Sequence, residues 1–246
     1  MMIDTIPAWP TVADAPPLAR GDVHLWCWSL DATEHELAAA RTLLSVDERA
    51  RADRFVFERD RRRYVVAHAR MRELLARYLR RPPASLEFRA GEHGKPDLVD
   101  GGGLRFNLSH SNDLALLAVG VTNDLGVDVE RIRRMPDNLA ERFFAEEECR
   151  ALAALRGDVR MSGFFSCWTR KEALLKGIGT GLSGGLDSFA VSLVGDGPAR
   201  IVASRGAETD GWRLEHLEPA EGYVGALAVQ GPWSSTRRFT LSRGAI

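Results

Sequence analysis

Three side chains that could take part in binding or catalysis recur every four residues in the segment Trp168–Gly181, which reads WTRKEALLKGIGTG. Trp168, Glu172 and Lys176 share one face of a helix, because side chains four residues apart stack along it. A carboxylate and an ammonium so placed can face one anionic ligand, the carboxylate through a metal ion and the ammonium directly. Ordinary surface helices also carry Glu–Lys pairs, which add only a few tenths of a kcal/mol. This segment alone therefore does not define a site.

A second group of acids lies in the segment 126–130, which reads GVDVE. In a strand the two valines enter a core, while Asp128 and Glu130 project together from the opposite face. Adjacent carboxylates repel each other unless a cation lies between them, and a hard divalent ion suits oxygen ligands. A solvated acidic strand edge that discourages aggregation explains the same pattern.

Groups that can bind phosphate lie earlier in the chain. The segment 106–111, FNLSHS, carries two hydroxyls and a histidine that can donate hydrogen bonds to phosphate oxygens. Lys95 lies in the turn-rich loop GEHGKP at 91–96. Arginines are dense at positions 49, 51, 54, 59 and 61–63. A solvated basic face and a structural histidine are the alternative interpretations.

All but three of the 33 basic residues are arginines, and the lysines are Lys95, Lys171 and Lys176. Because arginine is used wherever either base would serve, a retained lysine favours a position that needs a compact ammonium. All three lysines lie in segments that stand out on other grounds.

The composition is typical of a folded globular protein, with 246 residues, 45% hydrophobic and 27% charged residues, and a formal net charge of -1. This charge argues against nucleic acid as a partner. No signal peptide or membrane span is evident, so we expect a cytoplasmic protein that does not bind membranes. The cysteines are odd in number and widely spaced, which predicts free thiols at Cys27, Cys149 and Cys167.

Patterns along the chain predict a mixed α+β fold. A poorly ordered, proline-rich tail at 1–20 precedes a strand at 22–29. A capping box at Ser45 and Glu48 starts a helical region to about Arg81, and further helices are predicted at 143–155 and 161–177. Strands are predicted at 86–89, 104–108, 114–121, 125–130, 189–194, 200–204, 212–217, 223–229 and 239–241.

The strands at 114–121 and 125–130 are predicted to form a hairpin around the turn at Asn123–Asp124. The two halves have a similar order of elements, which predicts two related α/β lobes at 21–121 and 122–246. The acidic motifs then belong to the second lobe.

Two glycine-rich motifs after Ile178 are rejected. The segment 181–185 matches a hydrolase nucleophile elbow, and 179–184 matches a dinucleotide-binding fingerprint. Both motifs require a strand before them and a helix after them. The predicted order here is helix first and strand second.

The segment GVDVE at 126–130 followed by WTRKEALLK at 168–176 resembles the paired signature of the 4'-phosphopantetheinyl transferase superfamily. The chain length, Gly94-Lys-Pro96 and FNLSHS make it similar to the Sfp type, in which one chain forms two similar lobes related by a pseudo-twofold axis. The resemblance implies an active site at the lobe interface. The implied reaction transfers 4'-phosphopantetheine from coenzyme A to a serine of an acyl, peptidyl or aryl carrier protein and releases adenosine 3',5'-bisphosphate.

The resemblance also implies residue roles. Asp128, Glu130 and Glu172 match the magnesium-binding acids, and Lys176 matches the lysine at the pyrophosphate. Glu172, directly or through a metal-bound water, is the expected base that takes the proton of the carrier serine. Trp168 is expected to pack the helix in place.

Coenzyme A contacts are implied for Lys95, Ser109 and His110. Arg63 lies where the family places an arginine near the 3'-phosphate, and Arg51 and Arg49 are weaker candidates for the same role.

A non-catalytic binder of coenzyme A or a nucleotide, and a different magnesium-dependent phosphotransferase, are the competing functions. We expect a monomer, because a two-lobed chain forms its site internally. Siderophore, polyketide, nonribosomal peptide and fatty-acid pathways fit the resemblance equally.

Overall fold

The computed structural model describes residues 9–12, 14–91, 94–136, 138–181, 185–193, 198–205 and 208–242. The helices are α1 (Glu34–Leu43), α2 (Val46–Ala52), α3 (Glu58–Leu79), α4 (Leu139–Phe143), α5 (Glu146–Ala154) and α6 (Gly157–Ile178), with a 3-10 turn at Pro83–Ser85. The strands are β1 (Thr11–Val12), β2 (Asp22–Ser29), β3 (Phe88–Ala90), β4 (Pro96–Leu98), β5 (Leu104–Ser111), β6 (Leu114–Val121), β7 (Leu125–Arg131), β8 (Phe189–Val191), β9 (Ile201–Ser204), β10 (Trp212–Leu217), β11 (Tyr223–Gln230) and β12 (Ser235–Leu241).

The strands form two main sheets. The first has the order β1-β12-β2-β6-β5 and the second has the order β10-β11-β7, while β3–β4 and β8–β9 form two-stranded sheets. β12 runs parallel to both of its neighbours, and the other pairs are antiparallel.

The two main sheets share an apolar core because their strands alternate between two faces. One face of β2 and β6 meets Val127 and Val129 of β7 and Leu227 of β11. The opposite face of the first sheet packs against α3, and the opposite face of the second sheet packs against α6. Each half therefore supplies a sheet and a long helix, which confirms the predicted two-lobed α+β fold.

Simple alternation predicted several strands correctly, and β2, β6 and β10 have their predicted bounds. The predicted hairpin of 114–121 and 125–130 is wrong. Both edges of β6 are occupied by β2 and β5, and β7 pairs with β11, so the chain crosses from one sheet to the other between them. The turn residues predicted a reversal correctly, but they carry no information about which strand edge is available.

The helical predictions were too coarse. The region 45–81 divides into α2 and α3, the helix expected at 143–155 is α5 and begins three residues later, and α4 precedes it without having been predicted. The capping box at Ser45 and Glu48 is present, whereas α1 and β4 were not predicted. The free cysteines are confirmed. No helix in the described ranges is long and apolar enough to cross a bilayer.

The first and last described strands, β1 and β12, pair with each other in the first sheet. Poor order was predicted for residues 1–20, but β1 pairs with β12, and Val12 and Leu18 pack against the first core. This prediction is wrong for the described part of the tail, and residues 1–8 lie outside the described ranges. β12 follows the second sheet in sequence and nevertheless lies between β1 and β2.

α6 approaches β7 closely at two glycines. A Cβ built on Gly126 would overlap the carbonyl oxygen of Ala173 and would lie 2.8 Å from Cα of Gly177. A Cβ on Gly177 would lie 2.5 Å from Cη2 of Trp212. The absence of side chains at both positions lets the last turns of α6 lie directly on β7.

We expect Gly126→Ala to lower the free energy of unfolding by about 3 kcal/mol, at the upper end of the range for overpacking, because the added methyl meets backbone atoms that cannot move aside. Urea unfolding measures this loss. Gly120→Ala is the control, since its Cβ would meet mainly the flexible end of Leu125, 2.8 Å away. Equal losses in the two variants would contradict this account.

Candidate functional site

The edge of β7 that faces the first sheet is held by side chains of β5. Backbone N–H groups at alternate positions of β7 donate to side-chain oxygens at alternate positions of β5. The pairs are Val127 N to Asn107 Oδ1 at 2.8 Å, Val129 N to Ser109 Oγ at 3.4 Å, and Arg131 N to Ser111 Oγ at 3.3 Å. We call this set the side-chain ladder. It satisfies the N–H groups that a neighbouring strand would otherwise pair.

The two serines of the side-chain ladder also hold the acids of β7. Ser109 Oγ donates to Asp128 Oδ1 at 2.8 Å, and Ser111 Oγ donates to Glu130 Oε2 at 2.6 Å. A hydroxyl can accept one hydrogen bond and donate another at the same time. Both acids lie on the face of β7 that packs against α6, opposite Val127 and Val129, as the alternation predicted.

Lys176 reaches this cluster from the last turn of α6. Its Nζ donates to Asp128 Oδ1 at 2.6 Å and to Ser109 Oγ at 3.0 Å. The other oxygen of Asp128, Oδ2, is buried and has no hydrogen-bond partner among the described residues. Glu130 Oε2 also accepts a hydrogen bond from Nη1 of Arg133 at 3.2 Å.

Glu172, one turn before Lys176, faces the same cluster. Burial, followed by the charges of Asp128 and Glu130, raises the pKa of Glu172 to about 7, and the opposing charge of Lys176 limits this rise. Within the described residues its carboxylate forms no hydrogen bond or ion pair. The charges of Asp128 and Glu130 therefore disfavour the ionised form of Glu172, so the cluster favours an additional positive charge.

A magnesium ion fits this donor chemistry, although the side chains do not form a closed metal-binding set. In the described ranges no three acidic, histidine or cysteine side chains stand ready to hold a metal ion. Carboxylate oxygens are the preferred protein ligands of Mg²⁺. The unpartnered, buried Oδ2 of Asp128 and the pKa of Glu172, raised by burial and then by the neighbouring acids, are the two observations that favour a cation here.

Lys95 and His110 lie on the side of the site formed by the first half. Nζ of Lys95 donates to the carbonyls of Leu125 at 3.0 Å and Gly177 at 2.7 Å, which ties the loop before β4 to both β7 and α6. His110 has an exposed side chain. Desolvation of the ring and then the charges of Lys176 and Arg63 lower the pKa of His110 below its ordinary value.

The three predicted arginines have different partners. Arg63 pairs with Asp113, lies 3.8 Å from Asp60, and is electrostatically coupled to His110. The guanidinium of Arg51 lies 5.7 Å from the ring centroid of Tyr64, on the exposed surface of α2. Nη1 of Arg49 donates to the carbonyl of Leu44.

Trp168 packs as expected. Its ring stacks on Phe164 with centroids 6.0 Å apart and meets Phe143 edge-on at 5.7 Å. The adjacent Lys171 forms a fully buried ion pair with Glu148 at 2.8 Å, so this lysine anchors α6 in the second core. Each of the three lysines therefore serves as a compact ammonium with several acceptors, and Lys171 does so away from the acid cluster.

The rejected glycine motifs keep the order that excluded them. α6 precedes them and β8 follows them, and residues 182–184, which both motifs include, lie outside the described ranges.

Sequence reasoning missed Asn107 and Arg133, and it considered Ser111 only as a possible donor to phosphate. The signal that was available is the matched alternation of polar side chains at 107, 109 and 111 with the residues 20 positions later. Only the tertiary structure shows that these two strands lie side by side.

The acids Asp128, Glu130 and Glu172 and the ammonium of Lys176 thus lie where β7 and α6 face the side chains of β5. The sequence profile described as "4'-phosphopantetheinyl transferase, N-terminal" matches residues 27–122, and the profile of the 4'-phosphopantetheinyl transferase superfamily matches residues 124–228. The chain belongs to the 4'-phosphopantetheinyl transferase superfamily and is a transferase.

Individual relatives agree with this assignment. The chain is 38% identical over 219 residues to the 4'-phosphopantetheinyl transferase HetI of Nostoc sp., an alignment that covers 87% of this chain and 90% of HetI. It is 33% identical over 168 residues to psf-1 of Bacillus pumilus, which covers 68% of this chain and 71% of that protein. It is 31% identical over 160 residues to Sfp of Bacillus subtilis, which covers 65% and 71% of the two chains.

The elevated pKa of Glu172 predicts that the stability of the cation-free protein depends on pH. The folded protein holds this proton up to about pH 7, whereas the unfolded chain releases it near the ordinary value of 4.5, so stability falls as pH rises through this interval. We expect Glu172→Gln to melt at a higher temperature than the wild type at about pH 8 with EDTA, and the gain to vanish toward about pH 4.

Thermal melts across this pH range measure the effect. Glu146→Gln is the control, because the Glu146 side chain is 83% exposed and lies outside the acid cluster. A Glu172→Gln protein that melts below the wild type at about pH 8 would show that the acids do not repel one another.

Proposed function

We propose that this protein transfers the 4'-phosphopantetheine group from coenzyme A to a serine hydroxyl of an apo acyl, peptidyl or aryl carrier protein. The reaction depends on Mg²⁺ and releases adenosine 3',5'-bisphosphate. The observation that carries the proposal is the meeting of Asp128, Glu130 and Glu172 beside Lys176 in a chain of this superfamily.

Asp128, Glu130 and Glu172 would hold the magnesium ion, with the free Oδ2 of Asp128 directed to it. When bound, the ion supplies charge compensation and Lewis-acid polarisation at the pyrophosphate of coenzyme A. Lys176 contributes a second positive charge at the same pyrophosphate, which stabilises the charge that develops on the departing phosphate.

The nucleotide part of coenzyme A would lie on the first half of the chain. His110 would donate to a phosphate oxygen, Ser109 would do so only if its hydroxyl turned away from Asp128, and Arg63, whose charge acts on His110, suits the 3'-phosphate. Arg51 is the weaker candidate, because its guanidinium lies over the ring of Tyr64, and the basic side chains whose charges act on His110 are Lys176 and Arg63. Lys95 would lie near the same ligand, and its ammonium also donates hydrogen bonds to carbonyls of β7 and α6.

The bond changes follow from the substrates. The serine oxygen forms a bond to the phosphorus that carries pantetheine, and the bond from that phosphorus to the bridging oxygen breaks. Adenosine 3',5'-bisphosphate leaves with the electron pair. The serine proton passes to the Glu172 carboxylate, directly or through water, and a base whose pKa lies near the working pH suits this role.

We propose further that the protein is of the Sfp type and acts as a monomer, because one chain supplies both sides of the cluster. The similarity to Sfp supports the Sfp type, and the activity would be that of a holo-[acyl-carrier-protein] synthase. Carrier proteins of several pathways fit the site equally.

Incubation of the protein with Mg²⁺, coenzyme A and an apo carrier protein should produce a phosphopantetheine adduct on the carrier serine. Mass spectrometry of the carrier detects the adduct, and a carrier with serine replaced by alanine is the control. Coenzyme A binding without an adduct on any of several carriers would favour a non-catalytic binding protein. Transfer of a phosphoryl group to another acceptor would favour a different phosphotransferase.

Glu172→Gln should reduce turnover by roughly 100- to 10,000-fold, the usual contribution of a general base, at saturating Mg²⁺. Single-turnover transfer to the carrier measures the rate, and Glu146→Gln serves as the matched surface control. Mn²⁺ binding by electron paramagnetic resonance separates the two roles, since loss of turnover with retained binding identifies the base. Near-normal turnover at saturating Mg²⁺ would remove Glu172 from that role.

A further inference from the structure

We propose that Ser111 is a positioning residue that fixes one oxygen of Glu130 and leaves the other oxygen available to the divalent cation. The inference rests on the proposed function, because it concerns the cation that the acid cluster would hold. It gives Ser111 a role at a carboxylate, whereas the sequence indicated only a possible donor to phosphate.

The two acids of β7 are held in the same way. On Asp128, Oδ1 accepts hydrogen bonds from Ser109 and Lys176, while Oδ2 has no partner among the described residues. On Glu130, Oε2 accepts hydrogen bonds from Ser111 and Arg133, while the described residues give Oε1 no hydrogen bond. In each case a serine and a cationic side chain occupy one oxygen, and the second oxygen is left for another ligand.

The geometry of the side-chain ladder explains why serine suits this position. Ser111 Oγ accepts a hydrogen bond from the N–H of Arg131 and donates its own proton to the carboxylate of Glu130, the residue before Arg131. The 2.6 Å distance to Glu130 is typical of a charge-assisted O–H···O⁻ bond. The hydroxyl therefore couples the orientation of Glu130 to the backbone of its own strand.

Ser111 is the firmer of the two partners of Glu130. It is 8% exposed, whereas the side chain of Arg133 is 53% exposed, and exposed ion pairs contribute little. Partners that orient metal ligands in this way typically change metal affinity by 10- to 100-fold when removed.

Ser111 also offers a cleaner test than Ser109. Ser109 contacts Lys176 and is itself proposed to bind coenzyme A, so its loss would change several contacts at once. Asn107 is the matched control, because it accepts a hydrogen bond from the N–H of Val127 in the same ladder and this bond involves no carboxylate. Loss of either side chain leaves one β7 N–H group unpaired, but only loss of Ser111 releases Glu130.

The experiment measures Mn²⁺ binding by electron paramagnetic resonance in the presence of coenzyme A, together with thermal unfolding. We expect Ser111→Ala to raise the Kd for Mn²⁺ roughly 10- to 100-fold. Asn107→Ala should lose comparable thermal stability and keep the wild-type Kd. Ser111→Thr, which retains the hydroxyl, should restore most of the affinity and remains informative if Ser111→Ala fails to fold.

A double-mutant cycle tests whether Ser111 acts through Glu130. In the Glu130→Gln background, Ser111→Ala should no longer change the Kd for Mn²⁺. The inference is overturned if Ser111→Ala binds Mn²⁺ as tightly as the wild type, if Asn107→Ala weakens binding equally, or if the effect of Ser111→Ala persists without Glu130. Failure of the proposed function is distinct, because the wild type itself would then form no adduct on the carrier.

Discussion

The arrangement of this protein depends on how the free edge of β7 is satisfied. Three of its buried or half-buried N–H groups point toward β5, and an unpaired N–H group in such a place is costly. β5 supplies side-chain oxygens instead of backbone carbonyls, so the two strands lie side by side without forming a continuous sheet. Two of the oxygens are hydroxyls that also donate to Asp128 and Glu130. The joint between the halves and the orientation of the acids are therefore one set of hydrogen bonds.

A second requirement is to keep α6 close enough to this joint. Gly126 and Gly177 permit backbone contact, and Lys95 bonds carbonyls on both elements. Farther along the helix, the buried pair of Lys171 and Glu148 fixes its other side. Both Glu172 and Lys176 therefore face the acids of β7. These acids repel the carboxylate of Glu172, whereas Asp128 attracts the ammonium of Lys176. Burial and the charges of Asp128 and Glu130 raise the pKa of Glu172, and a divalent cation would offset the repulsion among these acids.

The two family profiles meet between residues 122 and 124, where the chain crosses from the first sheet to the second. Each profile alone covers one side of the acid cluster, because the serines come from β5 and the acids come from β7 and α6. The relationship to phosphopantetheinyl transferases is therefore carried by both halves. The return of β12 to the first sheet adds a further covalent and hydrogen-bonded link between them.

The sequence by itself determined the properties that depend on near neighbours. Period-two alternation placed Val127 and Val129 in the core and both acids on the opposite face, and the four-residue spacing put Glu172 and Lys176 on one stripe of α6. Glycine at position 179 ends that helix with a positive φ of 91°, as its sequence indicated. These features follow from the local geometry of strands and helices.

Only the tertiary structure decided which edges meet. The turn at Asn123 predicted a hairpin, but β7 pairs with β11, far along the chain, and faces the side chains of β5. The bonds of Lys95 to the carbonyls of β7 and α6 depend on this placement of β7, as do the bonds that Ser109 and Ser111 donate to its acids. Local patterns encode the direction in which a side chain points, whereas pairing across long sequence separations depends on which edges the whole fold leaves free.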